Sequence, residues 1–143
     1  MKKILILGGS GFIGTKIVEK LQSNPQYEIT STYHTHLPHI KNSRWLKLDI
    51  NNLQQLRETL ENASPNMIIN LVTYSQGASH VDACEKNPKE CSLVNISPTT
   101  VITAYCQKNP DVKYIFFSSS QVFSGNQKNK ENNFPQPKNV YGH

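Results

Sequence analysis

Apolar residues come in short runs that alternate with stretches of helical spacing. Ile4, Leu5, Ile6 and Leu7 form a continuous run, as expected of a parallel strand buried on both faces. Phe12, Ile13, Ile17, Val18 and Leu21 then recur with helical spacing, and Asn24-Pro25 ends that helix. Residues 27–33, rich in Ile, Thr and Tyr, read as a second strand, and the alternating RWLKLD of residues 44–49 as a third. Leu53, Leu56 and Leu60 mark a helix with Asn51 or Asn52 as its cap. MIINLV, residues 67–72, reads as a fourth strand and residues 113–117 as a fifth. Between these two lies a long helical stretch from about Pro88 to Lys108. Pro98 removes a helix hydrogen bond there and should kink or divide it. Residues 124–139 are polar, carry two prolines and read as an exposed loop. Strands alternating with helices from the first residue predict an α/β fold, a Rossmann-like doubly wound parallel sheet forming one domain over residues 1–143.

Composition narrows the partners. A chain of 143 residues is long enough to bury a core, although an apolar fraction of 36% and a mean hydropathy of -0.52 are low for a packed α/β domain. The net charge of +5 is spread singly or in pairs such as Lys2-Lys3, with no basic stripe and no interleaved aromatics, so nucleic acid is not an expected partner. No apolar run approaches the ~20 residues of a membrane span. The opening MKKILIL resembles a signal peptide only until the glycines break it, and no membrane association is expected. Cys84, Cys91 and Cys106 are an odd, widely spaced set. They are expected to be reduced core thiols rather than a disulfide or metal site, which makes the cytoplasm the expected compartment.

The chemistry starts at the glycines. Gly8, Gly11 and Gly14 form G-x-x-G-x-x-G, with Gly9 as an extra, between the first strand and the first helix. In that context the glycines serve the turn off the strand, the close approach of backbone to a pyrophosphate, and the packing of helix on sheet. The helix N-terminus adds unpaired N–H groups and the positive end of its dipole. A nucleotide site is therefore expected at Gly8, Ser10, Gly11, Phe12, Ile13 and Gly14.

This glycine spacing resembles that of the extended short-chain dehydrogenase/reductases, and further matches accumulate along the whole chain. Asp49 after the third strand resembles the aspartate that meets the adenine ring, with Ile50 beside it. NLVTYS, residues 70–75, resembles the segment lining the cofactor after the fourth strand, which adds Leu71, Val72 and Thr73. VDACEKNP, LVNISPT, FFSSSQVFSG and FPQPKNVYGH resemble motifs of the dTDP-4-dehydrorhamnose reductase subgroup, with Pro98 where glycine is usual and Ser120-Gln121 in place of Asp-Tyr. The resemblance implies NAD(P)-dependent reduction of a nucleotide-activated keto sugar. Tyr141 would be the proton donor, and Ser119, with Ser118 and Ser120 as near alternatives, would hydrogen-bond the carbonyl.

Between Ser31 and Arg44 there is no Asp or Glu to bond a ribose 2′-hydroxyl. His34, His36, Lys41 and Arg44 are available there to meet a 2′-phosphate, so NADP is favoured over NAD. His34, His36 and His39 lack a fourth ligand or a nearby carboxylate, and no metal is expected. The family's lysine, four residues after its tyrosine, would fall past His143, as would most of the sugar-nucleotide contacts. The chain thus reads as a cofactor-binding half cut off after the tyrosine and inactive alone. Three readings stay open: part of a reductase, a non-catalytic cofactor-binding or regulatory module, and an inactive remnant. An uncovered sheet edge would offer a route to self-association, such as a homodimer.

Overall fold

In a computed structural model of the chain, residues 1–41, 43–76, 79–125 and 128–143 are described. Five strands and five helices follow one another: β1 Lys2–Leu7, α1 Phe12–Leu21, β2 Tyr27–Tyr33, β3 Arg44–Lys47, α2 Leu53–Ala63, β4 Met67–Asn70, α3 His80–Lys86, α4 Pro88–Asn95, α5 Ser97–Lys108 and β5 Lys113–Phe116. The strands form one parallel sheet in the order β3-β2-β1-β4-β5, with Ile4 in register with Ile29 on one side and Met67 on the other. This is the Rossmann-like α/β fold that the alternation of patterns predicts.

Alternating side chains of β1 feed two cores. Leu5 and Leu7 join Ile68 beneath α2 and α5, against Leu56, Leu60, Val101, Ile102 and Tyr105. Ile4 and Ile6 face the other way with Ile29 and Ile69, beneath Val18 of α1. Because β1 is central and covered on both sides, its continuous apolar run is what burial requires. Among the described elements α1 covers the second face, and there the outer strand β5 leaves Ile115, in register with Ile69, exposed.

The third and fourth strands end earlier than their sequence patterns suggest. Asp49 and residues 71–72 therefore lie in the loops beyond the strand ends. Asn52 caps α2, its side chain accepting the Gln55 N–H at 3.0 Å. The predicted long helix is divided at Ile96, and Pro98 sits in the first turn of α5, where its missing N–H is not needed. The polar stretch at residues 124–139 carries no helix or strand among its described residues, which are mostly exposed; residues 126 and 127 of it lie outside the described residues, as does residue 42 of the 31–44 segment.

The cysteine expectation is overturned. Cys84 and Cys91 form a disulfide, and Cys106 is free. Along one continuous helix, residues seven apart would be separated by about 10 Å of rise. Here the chain turns at Asn87 between α3 and α4, so the two Cα atoms come within 5.2 Å. Burial raises the thiol pKa of Cys106, in keeping with a core thiol.

Candidate functional site

The carboxyl ends of β1, β2 and β4 meet around the glycine loop. Gly8 has φ +75, and a side chain there would press on the backbone of Leu71 and Val72. Gly14 packs the start of α1 onto the loop so closely that a Cβ would collide with the carbonyl oxygen of Gly8 and lie 2.7 Å from Gly9. A Cβ at Gly11 would meet only the Gly8 carbonyl oxygen, at 3.3 Å. Gly11 is thus far less crowded than Gly14, with that one oxygen as its near neighbour among the described residues. Gly11 is also the N-cap of α1 and supplies no side chain to cap it, while the first turn contains no acidic residue. Helical N–H groups of that turn face an opening suited to an anion.

Thr32, which the sequence analysis did not single out, anchors this loop. Its hydroxyl accepts the Gly8 N–H at 3.0 Å and its carbonyl accepts the Ser10 N–H at 3.3 Å. A threonine inside a strand carries no signal of such a task. On the far side, buried Asn70 accepts the Val72 N–H at 3.1 Å and so shapes the turn after β4.

Around these loops lies an open cavity of about 710 Å³. Gly8, Ser10, Gly11, Phe12, Ile13 and Gly14 line one part of it; His34, Asp49 and Ile50 line a second; Leu71, Val72 and Thr73 line a third. All twelve residues singled out for a nucleotide therefore come together. Phe12 and Ile13 are largely exposed at the head of α1. Asp49 is held by its neighbours: its carboxylate accepts the Asn51 N–H at 3.0 Å, and its own N–H donates to Gln55 Oε1 at 3.1 Å.

The four basic residues considered for a 2′-phosphate do not all converge. His34 lines the cavity. Arg44 does not, because it starts β3 opposite Thr30, at the other end of the sheet, in a small hollow with Lys3 and Glu28. His36 and Lys41 are exposed and line neither. No group of three or more His, Cys, Asp or Glu side chains that could hold a metal ion occurs among the described residues.

A second cavity, of about 380 Å³, opens beside the first, and Val72 and Thr73 line both. Ser118, Ser119 and Tyr141 line it, with Phe116 and Phe117 and the start of α5. Ser119 caps a short 3-10 turn, Ser120–Val122, and its hydroxyl accepts the Gln121 N–H at 3.2 Å. The Thr73 hydroxyl donates to the Tyr141 hydroxyl at 3.3 Å. Glu85 of α3 accepts the Val140 N–H at 2.7 Å, and Val140 and Tyr141 pack on the buried cluster of Tyr74, Ala83, Cys84 and Cys91. Asn95 joins α4 to this cluster: it accepts the Tyr74 N–H at 2.8 Å and donates to Cys91 Sγ at 3.3 Å. Tyr74, Glu85 and Asn95 stand in quoted motifs but carry no role there, and His80, directly before VDACEKNP, falls in none of them.

Comparison with known proteins adds four findings. A family model described as RmlD substrate binding domain matches residues 1–143. The chain is 26% identical over 145 residues to the dTDP-4-dehydrorhamnose reductase of Aggregatibacter actinomycetemcomitans, covering 99% of this chain and 44% of that protein. It is 25% identical over 139 residues to the probable low-salt glycan biosynthesis reductase Agl14 of Haloferax volcanii, covering 96% of this chain and again 44% of the relative. Among solved structures, the UDP-glucose 4-epimerase of Brucella ovis in complex with NAD has a TM-score of 0.82 at 22% identity, covering 99% of this chain and 44% of that one. At that identity the likeness is one of fold. The chain spans less than half the length of these relatives.

Proposed function

Because the chain belongs to the RmlD substrate binding domain family, we propose that it binds a nicotinamide dinucleotide and serves the NAD(P)-dependent reduction of a nucleotide-activated keto sugar. The observation that carries this reading is the pair of cavities joined at Val72 and Thr73, one lined by the glycine loop and the other by Ser119 and Tyr141. The larger is of the size a nucleotide ligand needs.

The residues present fit the cofactor. The open space at Gly11 and the head of α1 suit the pyrophosphate, and Asp49 and Ile50 suit the adenosine end. Leu71, Val72 and Thr73 lead from there toward Tyr141. When bound, the nicotinamide supplies a hydride to the substrate carbonyl carbon. Tyr141 gives the proton that the carbonyl oxygen then takes up, and Ser119 steadies that oxygen by a hydrogen bond. NADP is the preferred form in this reading, since His34 lines the cavity beside the end of β2 and no carboxylate occurs between Ser31 and Arg44. The Haloferax and Aggregatibacter relatives, both reductases by name, favour this chemistry.

Titration with NADPH and NADH, followed by nicotinamide fluorescence, tests it. Saturable binding is expected, tighter for NADPH, and should be lost in Gly11→Val with the fold retained. No saturable signal with either dinucleotide, or unchanged affinity in Gly11→Val, would refute the loop assignment. NADPH binding without oxidation of NADPH by a dTDP-4-keto sugar would leave the chain as a cofactor-binding module.

A further inference from the structure

The imidazole of His80 lies over the ring of Tyr141, with centroids 5.8 Å apart and planes 19° from parallel. Parallel, offset rings at this separation attract one another. His80 opens α3 directly after its cap Ser79, whose hydroxyl accepts the Asp82 N–H at 3.2 Å. The imidazole Nδ1 is 3.0 Å from the carbonyl oxygen of Tyr74. A carbonyl only accepts, so Nδ1 carries the proton, and that bond sets both the tautomer and the orientation of the ring. Tyr74 is itself fixed, since its N–H donates to Asn95 Oδ1 and its side chain is buried with Ala83, Cys84 and Cys91. The imidazole thus connects Tyr141 to the loop after β4, the segment that lines both cavities.

Tyr141 has three other ties. Glu85 holds the backbone at Val140, and Tyr141 itself packs on the buried cluster of Tyr74, Ala83, Cys84 and Cys91. The Thr73 hydroxyl reaches the phenol oxygen at 3.3 Å, a long contact for two hydroxyls. To these three ties the imidazole adds a flat ring stacked on the phenol, which restrains the rotation of that ring.

Resting on the proposed function, in which Tyr141 is the proton donor, we infer that His80 is a positioning residue. Its imidazole, anchored on the Tyr74 carbonyl, stacks on the Tyr141 ring and holds the phenol at the junction of the two cavities. His80 itself is exposed, so replacing it removes the stack without opening a core.

The test uses 3-fluorotyrosine placed at position 141 and fluorine NMR on the wild-type chain, His80→Gln and His80→Phe, with circular dichroism as the check on folding. The fluorine signal is expected to be ring-current shifted in the wild-type chain, to lose that shift in His80→Gln and to regain it in His80→Phe, which restores a flat ring. A wild-type signal in His80→Gln, or no recovery in His80→Phe, overturns the inference. Saturating NADPH is expected to move the signal in the wild-type chain and in His80→Phe but not in His80→Gln. If NADPH binds saturably and leaves the wild-type signal unmoved, the positioning role is overturned. If NADPH does not bind at all, the proposed function fails, while the three fluorine spectra still decide for or against the stack.

Discussion

Gly14 and Gly11 occupy equivalent-looking places in one motif, yet their surroundings give them different duties. At Gly14 an added Cβ meets rigid backbone of Gly8 and Gly9, so Gly14→Ala must push α1 away from the loop. Overpacking of this kind costs about 1–3 kcal/mol, and denaturant unfolding should show the loss as a lower midpoint. An unchanged midpoint would mean that the loop yields more readily than the contacts suggest. At Gly11 a Cβ would meet the Gly8 carbonyl oxygen alone, at 3.3 Å, so substitution there should cost less stability than at Gly14 and act chiefly on the ligand. The close packing at Gly14 is legible in the sequence, because strand, motif and helix follow in the required order. The role of Thr32 is not, since its hydroxyl works across the turn on Gly8, twenty-four positions away.

Among the elements, α3 and α4 depart most from the sequence reading. Seven residues of α3 bury only Ala83 and Cys84, too little periodicity to announce a helix. Two cysteines at a separation of 7 look like helix neighbours until the corner at Asn87 is known. With that corner, the disulfide ties together the two helices that support Tyr141, Val140 and Asn95. Denatured without reductant, the chain should expose one thiol to a thiol reagent, that of Cys106; three would contradict the bridge. In the chain-entropy account, closing so short a loop is worth about 2–3 kcal/mol, which reduction would remove. The strands were easier to read, since β-branched and apolar runs bounded by polar turns have few alternatives. Their ends were overrun because Asp49, Leu71 and Val72 continue the same residue types into the loops, where they line the cavity.

For the molecule as a whole, strand order decides where a ligand goes. The chain runs outward from β1 through β2 to β3, then crosses back to β4 and β5 on the other side of β1. Connections diverge at β1 and β4, leaving a crevice beyond their carboxyl ends, which is where open parallel sheets take ligands. Both cavities lie there, the first at the glycine motif and the second at the Ser119 and Tyr141 that the resemblance singles out. How Arg44 and His34 separate was not predictable, because they are close in sequence but at opposite ends of the sheet. The central claim is that one dinucleotide spans this crevice from the glycine loop to Tyr141. A crystal structure of the chain with NADPH tests it most directly. The pyrophosphate is expected over Gly11 at the head of α1 and the nicotinamide ring beside Thr73 and Tyr141. Density for the dinucleotide elsewhere on the sheet, or with its adenine beside Tyr141, would contradict it.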